Sequence, residues 1–310
     1  MDINATNMDN LFMTFKTAFA KGMQSVAGAG PENQLKVGDV AMLMPVQGGS
    51  TQHTWLAQIK GMTEWIGTRL LKALKVNGLT VVNRKFEDTV TVPADNIKDD
   101  QYGQYTPLVA ALGSTSDELW ADLTGEALVG NAKWADDNYF FCSGRELGDS
   151  MITNAVTTVL SKTSLEAGMT AMRSFTLHAG RNAKVRPELL IVGPGLEATA
   201  KAIVEAELIT GPLSNTSPAM SLKVKVCDDF VGDHATKWVL TGRKAGIPLV
   251  CVQQRELPSL TRMDKSDDTN VFLYDEYYYG TAARGEAFMT LPFLGYMGGM
   301  TSVPAWAEAA

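Results

Sequence analysis

Residues 85–108 read "KFEDTVTVPADNIKDDQYGQYTPL". Phe86, Asp88, Val90 and Val92 alternate with Glu87, Thr89 and Thr91, the period of two that puts each set on one face of a strand. Asp88 is the one imperfection on the apolar face. Pro93 closes the run. Pro107 suits the first turn of a helix, and Leu108, Leu112, Leu119, Leu123 and Ala127 then recur at helical spacing. Gly113 to Ser116 either splits that helix in two, with Thr115 and Glu118 as a capping box, or lies inside one long helix. A clear strand therefore feeds a helix through an acidic turn at Asp99-Asp100.

Upstream, Leu11, Phe12, Phe15, Ala18, Phe19 and Met23 form an amphipathic stripe. A lone short helix is marginal in water, so this stripe packs on the chain's own core or on a neighbouring subunit, and spacing alone does not choose. A Gly/Ala/Pro stretch follows at 27–31 and a short apolar run at Val40 to Met44. "WLAQIKGMTEWIGTRLLKAL", Trp55 to Leu74, is a second amphipathic segment, and Asn77-Gly78 is a turn signal before the strand-like "LTVVN". Downstream, Thr163 and Glu166 match a capping box ahead of Leu165, Met169, Met172 and Phe175. "ELLIVGPGLEATAKAIVEAELI" reads as strand, tight turn and helix. With strand-like runs at 222–226, 238–240 and 248–252, residues 165–255 form a compact α/β unit around a central sheet. The tail after Asp267 is strand-like and aromatic.

The chain has 310 residues, 45% of them hydrophobic and 20% charged, enough for a sizeable core. Its net charge of -7 argues against simple electrostatic attraction to nucleic acid or an anionic membrane. Acid is concentrated between Lys85 and Asp137, where eleven Asp/Glu face three Lys/Arg, a balance of -8. That face is either solvated or meets a basic partner. Three cysteines, Cys142, Cys227 and Cys251, give no disulfide framework or zinc spacing, and the last two read as core residues. No apolar run reaches the length of a membrane span, and the acidic N-terminus is not a secretory signal. A soluble chain made in a reducing cytoplasm is expected.

Chemical motifs are sparse. Gly193-Pro194-Gly195-Leu196-Glu197-Ala198 fits a dinucleotide-binding turn between strand and helix. However, Pro194 offers no N–H, Glu197 sets a negative charge where a phosphate would sit, and no acid follows at the required distance. His53, His178 and His234 form no metal pattern. Asp99-Asp100 and Asp136-Asp137 read as turn chemistry. No catalytic, cofactor-binding or metal-binding residue is expected, so the chain reads as no enzyme. A nucleotide-dependent oxidoreductase, resting on Gly193 to Ala198, is the alternative from another class.

Long spaced motifs resemble the major head subunit of Mu-like phages and prophages. They are Trp55-Leu56, Gly61, Glu64-Trp65-Ile66-Gly67 and Arg69; Phe86-Glu87, Asp95, Asp99-Asp100, Gly103 and Tyr105; Arg186-Pro187, Pro194 and Glu207-Leu208-Ile209; and "YDEYYYGTAARGEAF", Tyr274 to Phe288. Phe140-Phe141 runs into Cys142-Ser143-Gly144 where the family often continues to an Asp-x-x-His-Pro motif. Some members also place a Trp-x-Leu strand earlier than Trp238, so boundaries near 140–165 stay open.

The resemblance implies an α+β chain of the Hong Kong 97-type capsid fold. Its parts would be an N-terminal arm (1–47), an extended β-hairpin loop (48–95), a peripheral domain with a long spine helix (96–164), an axial domain (165–257) and a return to the peripheral domain (258–310). The strand at 86–92 would be one leg of the extended loop, its partner lying partly on a neighbour. The implied function is self-assembly into pentamers and hexamers of an icosahedral head enclosing double-stranded DNA, with an encapsulin-like nanocompartment as the alternative shell. Implied partners are the chain itself, a separate scaffolding protein and a portal, and packaged DNA without sequence-specific contact. No membrane is involved, and the location is the virion. The expected inter-subunit contacts are Phe12, Phe15, Phe19, Trp55, Trp65, Arg69, Phe86, Val90, Val92, Asp99 and Asp100.

Overall fold

The computed structural model describes residues 5–26, 32–54, 78–99, 101–147, 150–177, 181–204 and 221–306. In chain order the elements are α1 (Ala5–Val26), α2 (Val37–Val40), β1 (Ala41–Pro45), β2 (Ser50–His53), β3 (Leu79–Val82), β4 (Arg84–Pro93), α3 (Ala94–Lys98), α4 (Thr106–Gly130), β5 (Arg145–Leu147) and β6 (Ser150–Ile152). They continue with α5 (Lys162–Ser174), β7 (Thr176–Leu177), β8 (Arg181–Asn182), β9 (Pro187–Val192), α6 (Glu197–Val204), β10 (Lys223–Val226), β11 (Trp238–Gly242), β12 (Val250–Met263), α7 (Thr269–Tyr274), β13 (Glu276–Met289) and β14 (Gly295–Gly298).

Two four-stranded sheets carry the architecture. The long sheet has the order β1-β12-β13-β4 and the small sheet β10-β9-β11-β14. Strands β12 and β13 are 14 residues each, a ladder of roughly 45 Å at about 3.3 Å per residue. Register shifts in β12 between Gln254 and Ser259 bend it. The half-buried alternation of β13 is the signature read in the aromatic tail. α5 and α6 pack on the small sheet, and α4 crosses β12 and β13. One hydrophobic cluster joins the small sheet to the inner ends of β12 and β13, centred on Trp238, Leu240, Cys251 and Leu294. A second lies under the outer half of the ladder and gathers Phe15, Phe19, Val92, Ile97, Leu112 and Tyr279.

The quoted strand forms, but its place differs from the expectation. β4 pairs along its whole length with β13, from Glu276↔Pro93 to Gly285↔Arg84, as the edge of the long sheet. It is not a leg of a projecting hairpin. Among the described residues β2 and β3 pair only with each other, on either side of residues 54–78. Asp88 falls where the apolar face passes from one cluster to the other, beside a cavity of about 210 Å³ lined by Phe86, Thr115, Ser116, Leu119 and Thr281. Its carboxylate accepts the Thr89 N–H at 2.8 Å and so blunts the edge strand.

The helix after Pro107 is single and unbroken, 25 residues long. The Gly-Ser-Thr-Ser stretch does not restart it because Thr115 and Ser116 hydroxyls donate back to carbonyls one turn earlier, Ser116 to Leu112 at 2.6 Å. α5 starts two residues before the expected box. Ser161 accepts from the Ser164 N–H, and the Ser164 hydroxyl accepts from the Ser161 N–H. Two segments also pair differently from the sequence reading. The run at 250–252 opens β12 of the long sheet rather than belonging to the α/β unit. The C-terminal segment does not stay with the long sheet, since β14 pairs antiparallel with β11 in the small one.

The arm helix settles on the chain itself. α1 lies along α4, and the two backbones touch through glycine. A Cβ on Gly113 would stand 2.2 Å from the Phe19 carbonyl oxygen, and one on Gly22 would stand 1.9 Å from that of Ala110. Only glycine admits such an approach. Gly113→Ala should therefore lower stability by about 1–3 kcal/mol through overpacking, although alanine gains about 1 kcal/mol in helix propensity. Gly130→Ala, with nothing within 4 Å of the new Cβ, should be neutral or stabilising. Urea unfolding of the two variants checks the opposite signs.

Candidate assembly interface

The expected contact residues divide into three groups. Phe15, Phe19 and Val92 are buried within the chain, so the structure corrects their assignment to a subunit contact. Phe15 meets Tyr279 edge-on at 4.9 Å. Phe12, Phe86 and Val90 are half-buried against the same internal clusters. The Phe12 ring lies near-parallel to that of Tyr279, centroids 6.5 Å apart, and the Arg262 guanidinium carbon lies 4.6 Å from its centroid. Arg262 also donates to Asp9 at 2.5 Å, so β12 grips the arm by charge as well as by apolar packing. Asp99 is exposed. Trp55, Trp65, Arg69 and Asp100 lie outside the described residues, as does the helix expected over 55–74.

The root of the β2–β3 hairpin is locked by a buried polar network. Gln253 of β12 is completely buried. Its Oε1 lies 3.0 Å from His53 Nε2, and its amide donates to Asn83 Oδ1 at 2.8 Å and to the Val81 carbonyl at 3.3 Å. Asn83 donates to the Gly48 carbonyl at 2.9 Å. The His53 ring stacks on Phe288 with centroids 4.4 Å apart. Both strands that enclose residues 54–78 are thus tied to one glutamine.

A surface that sequence reading missed lies at the opposite end of the long ladder. α7 bridges β12 and β13, and it exposes Phe272 to 83%, with Leu273, Tyr274 and Met263 exposed beside it. Asn270 holds this turn, donating to the Met263 and Glu276 carbonyls. Six residues are too few to show a helical period, so the run merged into the strand-like tail. Its only signal is four consecutive large apolar residues, 271–274, between Asp268 and Asp275. An exposed apolar cluster of this kind is a candidate contact surface.

The dinucleotide-like turn has another occupant. Residues 194–196 form a short 3₁₀ turn before α6. The Glu197 carboxylate at that helix start accepts from Asn33 and, at 2.7 Å, from Lys201. Segment 33–35 meanwhile bonds to β10, Leu35 N–H to the Val226 carbonyl at 2.8 Å. The turn is a docking point for the arm. The loop near 140, where boundaries stayed open, is a core element. Asn154 accepts the Cys142 N–H and donates to the Phe140 and Pro292 carbonyls. Buried Arg145 pairs with Asp136 and lies over the Trp134 ring. Burial pushes the Cys227 and Cys251 thiols up to about 12, as befits inert core residues.

Comparison with known proteins accounts for this combination. The profile described as Mu-like prophage major head subunit gpT matches residues 8–156, 150–229 and 220–298. The chain belongs to the Mu-like major head subunit family. It is 31% identical over 141 residues to the Mu-like prophage FluMu major head subunit of Haemophilus influenzae (strain ATCC 51907 / DSM 11121 / KW20 / Rd), covering 45% of this chain and 46% of that protein. It is 27% identical over 100 residues to the major capsid protein of Escherichia phage Mu, 32% of each chain. These matches span half or less of the relatives' own lengths. In three dimensions the chain resembles a subunit from the procapsid of bacteriophage JBD30, with TM-score 0.55 and 22% identity over 99% of this chain and 78% of that one. The α+β architecture is thus the Hong Kong 97-type capsid fold. In this head-subunit chain the described residues contain no group of three metal-ligating side chains, and no described helix is long and apolar enough to cross a membrane.

Replacing Gln253 by leucine leaves His53, Asn83 and the Val81 carbonyl without their shared partner. A cost of about 1–3 kcal/mol is expected. Amide exchange should quicken across β2 and β3 and stay unchanged in β9 and β11, which mass-resolved hydrogen exchange reads directly.

Proposed function

We propose that this chain forms the shell of a phage head, many copies closing as pentamers and hexamers around double-stranded DNA. The observation that carries the reading is the head-subunit match, which runs from residue 8 to residue 298 through both sheets. The work of such a subunit is burial and geometry rather than catalysis. In this reading the arm is 1–47, the extended loop shrinks to 48–83, and β4, α4 and the outer ladder form the peripheral part. The small sheet with α5 and α6 is axial, and β14 returns to it. A separate scaffolding protein and a portal belong to the same proposal, and DNA is enclosed without sequence-specific contact. An encapsulin-like nanocompartment is less supported, because the sequence match is to head subunits along most of the chain. The oxidoreductase alternative loses its basis, since the arm and Glu197 occupy its turn.

The α7 tip supplies the mechanism its test. Burying one large apolar side chain is worth roughly 1.5–3 kcal/mol, and a contact repeated around a shell multiplies that gain. Negative-stain imaging of purified protein should show closed particles. Phe272→Asp combined with Leu273→Asp should abolish them while shifting the subunit's melting temperature little, because both side chains are already exposed. Normal particles from this variant would remove α7 from the contact. Absence of particles from the unaltered chain under all assembly conditions would overturn the shell reading.

A further inference from the structure

Against the acidic balance of the whole chain, residues 167–187 carry Arg173, Arg181, Lys184 and Arg186 and no acid. The fold collects three of these cations in one place. The last turn of α5 and the segment after β8 form an open cleft of about 680 Å³ lined by Arg173, Asn182, Lys184, Val185 and Arg186. Arg173, Lys184 and Arg186 are exposed, and none forms an ion pair with a described residue. The cleft is held in shape. Asn182 donates to the Arg173 carbonyl at 2.6 Å and accepts the Lys184 N–H at 2.5 Å, which keeps Lys184 at a φ of 52°.

A complementary surface lies on the spine. Glu87 and Asp88 of β4 flank Thr115 and Leu119 of α4. Glu118 and Asp122, one turn apart by the i,i+4 rule, extend the acid along the helix. None of the four forms an ion pair with a described residue, and all are exposed. Partial burial first, then the charges of Asp229 and Glu118, raise the Asp122 carboxyl above its ordinary value. A cation placed over Asp122 offsets the like charge of Asp229 and Glu118 around it.

We propose that the Arg173–Lys184–Arg186 cleft of one subunit receives the Glu87–Asp88–Glu118–Asp122 face of α4 and β4 of a second copy. The two patches occupy different parts of the chain, so the contact is heterologous, and a heterologous contact that closes produces a ring. The inference rests on the shell reading and supplies a charge-based register for its rings.

Charge reversal tests it. Lys184→Glu with Arg186→Glu, and separately Glu118→Lys with Asp122→Lys, should each cut particle yield by about tenfold or more, because like charges then oppose across the contact. All four substitutions together restore opposite charges and should return particles at low salt. Asp122→Asn should act with opposite signs in two assays. The folded carboxyl titrates above its unfolded value, so its contribution is present in acid and lost as pH rises through the folded value. The asparagine variant should therefore melt higher than the unaltered subunit near pH 7, with the gap closing in acid, yet assemble less well. Either reversal assembling normally, or the fourfold variant staying unassembled, would overturn the proposal while leaving the shell reading intact if the unaltered chain still forms particles. Loss of DNA retention in a gel shift by Lys184→Glu with Arg186→Glu, without recovery in the fourfold variant, would assign the cleft to nucleic-acid phosphates instead. An unaltered chain that never associates would remove both readings.

Discussion

The antiparallel ladder between β12 and β13 organises the rest of the molecule. Its inner end, Val250 to Gln253 opposite Glu286 to Met289, lies in the cluster shared with the small sheet. Its outer end carries Tyr277 and Tyr279 in the second cluster. β1 and β4 add to its two edges, α4 covers it, and α7 closes its tip. A two-stranded ribbon of this length is weak alone. Here every stretch of it is backed by a helix or flanked by a strand, so one long ribbon holds two separate cores at a set distance.

Contacts that need particular residues sit where those cores meet the arm and the loop. Gly22 and Gly113 bring two helix backbones together where larger residues would hold them apart. Gln253 answers His53, Asn83 and Val81 in a site without exposure to water, where an unanswered polar group would be costly. Arg84 of β4 donates to Glu126 of α4 and Glu286 of β13, tying the edge strand to the helix that crosses it. Being partly exposed, this last network adds modestly to stability.

Much of this was legible in the sequence where a period was long enough to count. The arm stripe, the strand at 86–92, the spine helix and the strand–turn–helix at 188–204 all formed. What the periods could not say was which partner each apolar face would choose. Phe15 and Phe19 show the same stripe whether they pack on Tyr279 or on a neighbour, and only the fold decides. Asp88 looked like a flaw, yet it marks the gap between two cores, which no local pattern encodes. α7 escaped because six residues hold under two turns. The basic cleft escaped because Arg173 and Arg186 are separated by a whole helix end and a hairpin, so only tertiary structure collects them.

The seating of α1 has a consequence for synthesis. The helix leaves the ribosome long before part of its seat, Arg262 of β12 and Tyr277 and Tyr279 of β13. Until β12 and β13 follow, its greasy stripe has only the β4, α3 and α4 side of its native seat. Contacts of such sequence separation form slowly, and the waiting surface invites aggregation or chaperone capture. A nascent chain completes its outer core only once β13 has been made, so a product cut short before Tyr277 leaves the inner side of α1 without its aromatic partners.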